Sequence, residues 1–154
     1  MRRAHMVFLA PLLLAAGNGR AENLGARCAR VDDDDRTAPI PSELAPAAAA
    51  RFGFPANAVA FVAKSTVYRC MDGAVWLCNF GVNLTCAKAD VSRVSQGAEA
   101  YCRANPGVRV APMAATGHDT IFSWRCVGEK PRITGAQKVD RRGFIADQWR
   151  RLDR

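Results

Sequence analysis

Apolar and polar residues recur along this chain with two different periods, and the switches between them mark out its elements. After Ser42, the residues Leu44, Ala48 and Phe52 fall at i, i+4 and i+8, with Gly53 and Pro55 behind them, which predicts a short helix over residues 43–52 capped by Ser42. Residues 58–63 are apolar throughout and read as a connector or a first strand. The strongest local signal follows. Thr66-Val67-Tyr68-Arg69-Cys70-Met71, then Asp72-Gly73, then Ala74-Val75-Trp76-Leu77-Cys78-Asn79-Phe80 predicts a hairpin, because Asp-Gly supplies the positive φ angles of a two-residue turn. Such a loop sets Met71 against Ala74, Cys70 against Val75, Arg69 against Trp76 and Val67 against Cys78.

Residues 81–95 are polar and irregular, and read as a loop pinned through Cys86. Ser95 caps a second helix in which Ala98, Tyr101 and Cys102 share a face, and Asn105-Pro106-Gly107 stops it. Residues 118–127 alternate, with Thr120, Phe122, Trp124 and Cys126 on one side, as in a half-buried strand. Gly128-Glu129-Lys130-Pro131 turns the chain into another strand over residues 132–139, and residues 144–149 read as a last strand, although Ile145, Trp149 and Leu152 also fit helical spacing. Residues 22–41 carry four consecutive aspartates, 32–35, with two prolines and few large apolar side chains, and read as a mobile arm with a solvated charge run. The expectation is one α+β domain over residues 42–154, a small antiparallel sheet with two short helices, stapled by disulfides.

The first 21 residues change the compartment. Arg2 and Arg3 precede an apolar run over residues 6–16, and Gly19-Arg20-Ala21 offers a cleavage site, the pattern of a signal peptide cut near Ala21. The run is shorter than the roughly 20 residues a membrane span requires. A periplasmic or secreted location follows. All six cysteines, Cys28, Cys70, Cys78, Cys86, Cys102 and Cys126, lie beyond the leader, where an oxidising compartment favours disulfides. A metal site is disfavoured: His118 is the one histidine beyond the leader, and no C-x-x-C pair occurs. Cys70 and Cys78 point to opposite faces of the predicted hairpin, so a bridge between them is disfavoured. Three of the fifteen pairings open to six cysteines are thereby removed.

The chain has 154 residues and a formal charge of +8, and losing Arg2, Arg3 and Arg20 with the leader leaves +5. The excess collects at the end, where residues 125–154 hold nine Lys+Arg against four Asp+Glu. Arg141, Arg142, Trp149, Arg150 and Arg151 are therefore candidate contacts for an anionic ligand. Nucleic acid is a poor partner for an exported chain. No cofactor motif and no nucleophile motif occurs, and no catalytic residue is assigned. His118 beside Asp119 is the one pairing that could serve a small hydrolase, and the plainer reading makes it a structural residue where the strand begins.

Val67-Tyr68-Arg69-Cys70-Met71-Asp72-Gly73, with Cys78, Cys86, Tyr101-Cys102-Arg103, Thr116-Gly117-His118, Trp124-Arg125-Cys126 and Gly143-Phe144, resembles small exported cysteine-containing proteins of alphaproteobacteria, over roughly residues 37–152. That resemblance implies a secreted cysteine framework and brings no ligand or catalytic residue with it. Tyr68-Arg69-Cys70 ahead of a hairpin is also loosely similar to periplasmic inhibitors of C-type lysozyme, which would imply inhibition of a lysozyme-like hydrolase. The leading expectation is a non-enzymatic domain that binds a protein partner or an anionic envelope component.

Overall fold

The structure is a computed structural model and describes residues 23–81 and 84–152. The expected leader, with its expected cleavage site near Ala21, lies outside those residues. In chain order the elements are α1 (Leu24–Val31), β1 (Asp34–Pro39), α2 (Ala45–Phe52), α3 (Val59–Ser65), β2 (Thr66–Met71) and β3 (Ala74–Asn79). Then come α4 (Gln96–Ala104), α5 (Met113–Thr116), β4 (Phe122–Val127), β5 (Lys130–Ala136) and β6 (Trp149–Arg151).

The hairpin of β2 and β3 has the register that its turn dictates: Met71 faces Ala74, Cys70 faces Val75, Arg69 faces Trp76 and Val67 faces Cys78. Asp72 and Gly73 take φ of 53° and 65°, the left-handed pair that a two-residue turn requires. Two edges complete an antiparallel sheet of order β1-β2-β3-β6. Because side chains alternate across a strand, its two faces carry different cores. Tyr68, Cys70, Val75 and Leu77 pack with Cys28 of α1, Ala48 and Ala49 of α2 and Val62 of α3. Cys78 packs on the other face with Phe144 and Trp149. Cys70 accordingly bonds Cys28 on the helical side, and Cys78 bonds Cys86 on the opposite side.

A second, two-stranded sheet pairs β4 with β5. Phe122, Trp124 and Cys126 point inward and Ser123, Arg125 and Val127 outward, the expected alternation. Inside, Phe122 and Trp124 meet Ala98 of α4 and Ala111. The third disulfide, Cys102–Cys126, ties α4 to β4. The six cysteines thus pair in strict sequence order. Gly97 lets α4 approach α5 closely, since a β-carbon there would stand 1.9 Å from the carbonyl oxygen of Ala115.

The small antiparallel α+β, disulfide-bonded fold is as expected, but its inventory is larger. The described residues hold five α-helices where two were expected. The apolar stretch of residues 58–63 is helical, within a 3-10 turn and α3. Ser42 opens a 3-10 turn and makes no side-chain cap to α2, although Gly53 ends that helix in the left-handed conformation, φ 74°. Lys130 and Pro131 belong to β5, because Gly128 and Glu129 alone make the turn. The last strand starts later than expected, at Trp149.

The largest correction concerns residues 22–41, expected as a mobile arm. Residues 24–31 form α1 and residues 34–39 form the edge strand β1, and Cys28 is fully buried in its disulfide. Nor is the aspartate run simply solvated. Asp33 pairs with Arg141 at 2.7 Å, Asp34 with Arg36 at 2.9 Å, and Asp35 with Arg142 and Lys88, each at 2.8 Å.

These partners set a pH response. The backbone N–H of Asp72 and the Arg141 guanidinium lower the pKa of Asp33, and Arg142 with Lys88 lowers that of Asp35. Arg36, through its side chain and its backbone N–H, holds Asp34 at about 2. Carboxylates whose folded values lie below the ordinary 3.8 contribute stability that is present above 3.8 and lost as pH falls through the lowered values. Thermal unfolding followed from pH 5 to pH 2 should therefore show a falling midpoint chiefly below about pH 4. Asp33→Asn with Asp35→Asn should flatten that fall, and an equal fall in the double variant would refute the assignment.

Candidate functional site

The residues expected to contact an anion are placed by the sheet and its C-terminal turn. Arg141 donates to Asp33 and to Asp72, and Arg142 donates from Nε to Asp35. Their charge is spent on the aspartate run, which is the physical reason they are poor contacts for an outside anion. Trp149 is 2% exposed and packs edge-on against Phe144, so its ring offers no surface. Arg150 is exposed and donates to the carbonyls of Asp147 and Trp149, while the carbonyl of Arg151 accepts from Arg51. Of the five, Trp149 is thus buried and Arg141 and Arg142 are paired with aspartates.

The same region buries a cation. Arg69 has no solvent exposure, and its guanidinium lies 4.1 Å from the centre of the Phe144 ring and 4.5 Å from that of Trp149. Nη2 donates to Asp140, and Nη1 lies 3.6 Å from the sulfur of Met71. Burial lowers the arginine's pKa, and Asp140 acts in the opposite direction. The Asp140 carboxylate also accepts from the backbone N–H of Arg142 and Phe144, so one carboxylate holds both the turn and the buried cation.

Open chemistry lies elsewhere, in a cleft of about 490 Å³ between α4 and the hairpin of β4 and β5. One wall is Arg93, Val94 and the row Ser95, Glu99 and Arg103, spaced by four so that they share a helix face. Ala98 and Cys102, on the neighbouring face, are fully buried. The other wall is Trp124 with residues 129–132. Cys102–Cys126 joins the two walls. Ser95 Oγ accepts from the N–H of Ala98 at 3.1 Å and fixes the start of α4 at the cleft's edge.

Four cations, Arg93, Arg103, Lys130 and Arg132, and two carboxylates, Glu99 and Glu129, line this cleft. None of the six forms an ion pair among the described residues. Arg93 lies 5.4 Å over the ring of Phe122. Trp124 is 4% exposed, and its buried indole N–H has no hydrogen-bond partner among the described residues. A buried donor without an acceptor costs roughly 1–3 kcal/mol.

His118 is half-buried in a bend before β4 and is not part of this cleft. Its Nδ1 is buried and has no hydrogen-bond partner among the described residues, Asp119 included.

The sequence reading missed the cleft because Arg93 and Arg103 lie outside the basic C-terminal stretch. A signal was present in the four-residue spacing of Ser95, Glu99 and Arg103. Compared with known proteins, the chain matches no family model, no curated protein and no solved structure. Fold and site therefore define a class: a small disulfide-bonded α+β domain with a basic cleft.

Proposed function

We propose that the protein is an exported, non-enzymatic binding domain whose partner is an anionic component of the cell envelope, or a protein that presents an acidic face. The observation that carries this reading is the division of charge along the chain. Residues 23–81 hold six Lys+Arg and six Asp+Glu, whereas residues 91–139 hold seven against three. The aspartates of residues 33–35 pair within the fold, while the cations of the cleft have no ionic partner among the described residues. Arg125 also stands directly opposite Arg132 across the hairpin, both exposed. Like charges facing each other on paired strands are destabilising, and a bound anion relieves that repulsion. Three disulfides are compatible with an extracellular location, and among the described residues no helix is long and apolar enough to cross a membrane.

Heparin affinity tests the reading. The oxidised protein should remain bound beyond about 0.15 M salt, where charges more than about 8 Å apart are already screened. Arg132→Glu should elute markedly earlier. Lys64→Glu makes the same change in net charge at an exposed position of α3 and should elute close to the parent. Elution of the parent at low salt, or equal displacement by the two reversals, would sink the proposal.

A further inference from the structure

Resting on that reading, we infer that the cleft between α4 and the hairpin of β4 and β5 binds an acidic sugar, a saccharide unit that carries a carboxylate or a phosphate. Its size fits one, since 490 Å³ falls within the roughly 300–1,000 Å³ typical of small-molecule sites. Its lining is mixed in a way that selects the chemistry. Arg93 and Arg103 supply donors for one anionic group, and Lys130 and Arg132, on the outward face of the hairpin opposite Val127 and Arg125, add positive charge at the rim. Glu99 and Glu129 are acceptors, and sugar hydroxyls are donors that can replace the water on them. Trp124 forms part of the inner wall, and its indole N–H is buried without a partner among the described residues, so a ligand in the cleft changes the surroundings of that group. An acidic peptide suits the site less well, because its side-chain carboxylates bring no donors to the two glutamates and repel them. The positive end of the α4 dipole, at Ser95, adds to the attraction for the anion.

The Trp124 indole N–H gives a direct readout. The oxidised protein has three tryptophans, Trp76, Trp124 and Trp149, hence three indole N–H resonances in a ¹H–¹⁵N spectrum, and Trp124→Phe assigns the one in question. Glucuronic acid and glucose 6-phosphate are the two acidic probes, glucose the neutral one, and poly-aspartate the peptide. The Trp124 resonance should move saturably with at least one acidic sugar, more than with glucose, while that of Trp76, whose N–H donates to the Met71 carbonyl at 3.0 Å, stays in place. Whichever acidic probe acts identifies carboxylate or phosphate as the recognised group. Arg103→Ala lies on the exposed face of α4 and should weaken binding about tenfold, the loss of one charge-assisted hydrogen bond. Raising the salt should weaken binding by the parent as well, so the result does not hang on one variant.

A Trp124 resonance that no acidic sugar moves, that glucose moves equally, or that poly-aspartate alone moves would overturn the inference. If heparin retention survives in that event, the anionic-partner reading stands and only the acidic-sugar assignment falls. Loss of both removes the reading itself.

Discussion

Asp140→Ala is expected to cost the protein about 3–5 kcal/mol of stability, the range for removing one partner of a buried ion pair. Arg69 is fully buried, so without Asp140 its charge is in contact with two aromatic faces and the sulfur of Met71, and keeps the longer-range attraction of Asp35. Those contacts are weak beside the desolvation of a guanidinium. The same substitution frees the backbone N–H groups of Arg142 and Phe144, which loosens the turn that carries the aromatic rings. A paired design separates the two causes. Asp140→Asn keeps an acceptor for the turn and removes the charge, whereas Arg69→Met with Asp140→Ala removes both charges and fills the slot between Phe144 and Trp149 with an apolar chain. The double variant should recover a substantial part of the loss, because a well-packed hydrophobic replacement of a buried pair is often neutral or stabilising. Urea unfolding monitored at constant m-value measures all three. An Asp140→Ala variant within about 1 kcal/mol of the parent, no more than an exposed pair contributes, would show that the pair does not carry the turn.

Removing the Cys28–Cys70 bridge should cost about 4 kcal/mol, the most of the three. Its cysteines are 42 residues apart, against 24 for Cys102–Cys126 and 8 for Cys78–Cys86. Cross-link entropy rises with the logarithm of loop length and assigns about 3.5 kcal/mol and 2.5 kcal/mol to the other two. Position reinforces that ranking. Cys28 is the one buried residue of α1, so the bridge is the anchor of that helix and of the edge strand behind it. Unfolding midpoints of the three double-alanine variants, compared pairwise, test the order. Limited proteolysis should cut the Cys28→Ala, Cys70→Ala variant first within residues 23–33. If the shortest bridge proves the most stabilising, or residues 23–33 stay protected, loop length and anchoring are the wrong account.

The parts of this fold that sequence made legible are the local ones. The β2–β3 register follows from Asp72-Gly73 and a period of two, and the burial of Ala98 and Cys102 follows from a capped helix. What was hidden depends on distant partners. The aspartate run resembles a solvated one because the partners of two of its members, Arg141 on Asp33 and Arg142 on Asp35, lie more than 100 positions away. Residues 58–63 carry no decisive period, since an apolar stretch that short fits a helix or a strand equally. The candidate site lay between these cases. The row of Ser95, Glu99 and Arg103 was readable from spacing, but its opposite wall was not, because that required knowing that Cys102 bonds Cys126. Eliminating the bridge between Cys70 and Cys78 still left twelve pairings open. The basic C-terminal residues misled for the complementary reason: closeness in sequence made a patch of Arg141, Arg142 and Trp149, which the fold spends on its own carboxylates and core.

Pairing in strict sequence order has a consequence for how the covalent framework is made. A chain threaded N-terminus first through a pore presents its cysteines one at a time, and here the proper mate of each unpaired thiol is always the next to emerge. No native loop overlaps or encloses another. An oxidase that joins thiols as they arrive therefore produces the final connectivity directly, and thiol–disulfide exchange has no wrong bridge to undo. Under the proposed export, oxidation of the reduced domain is expected to reach this connectivity with an oxidant alone, without a disulfide isomerase.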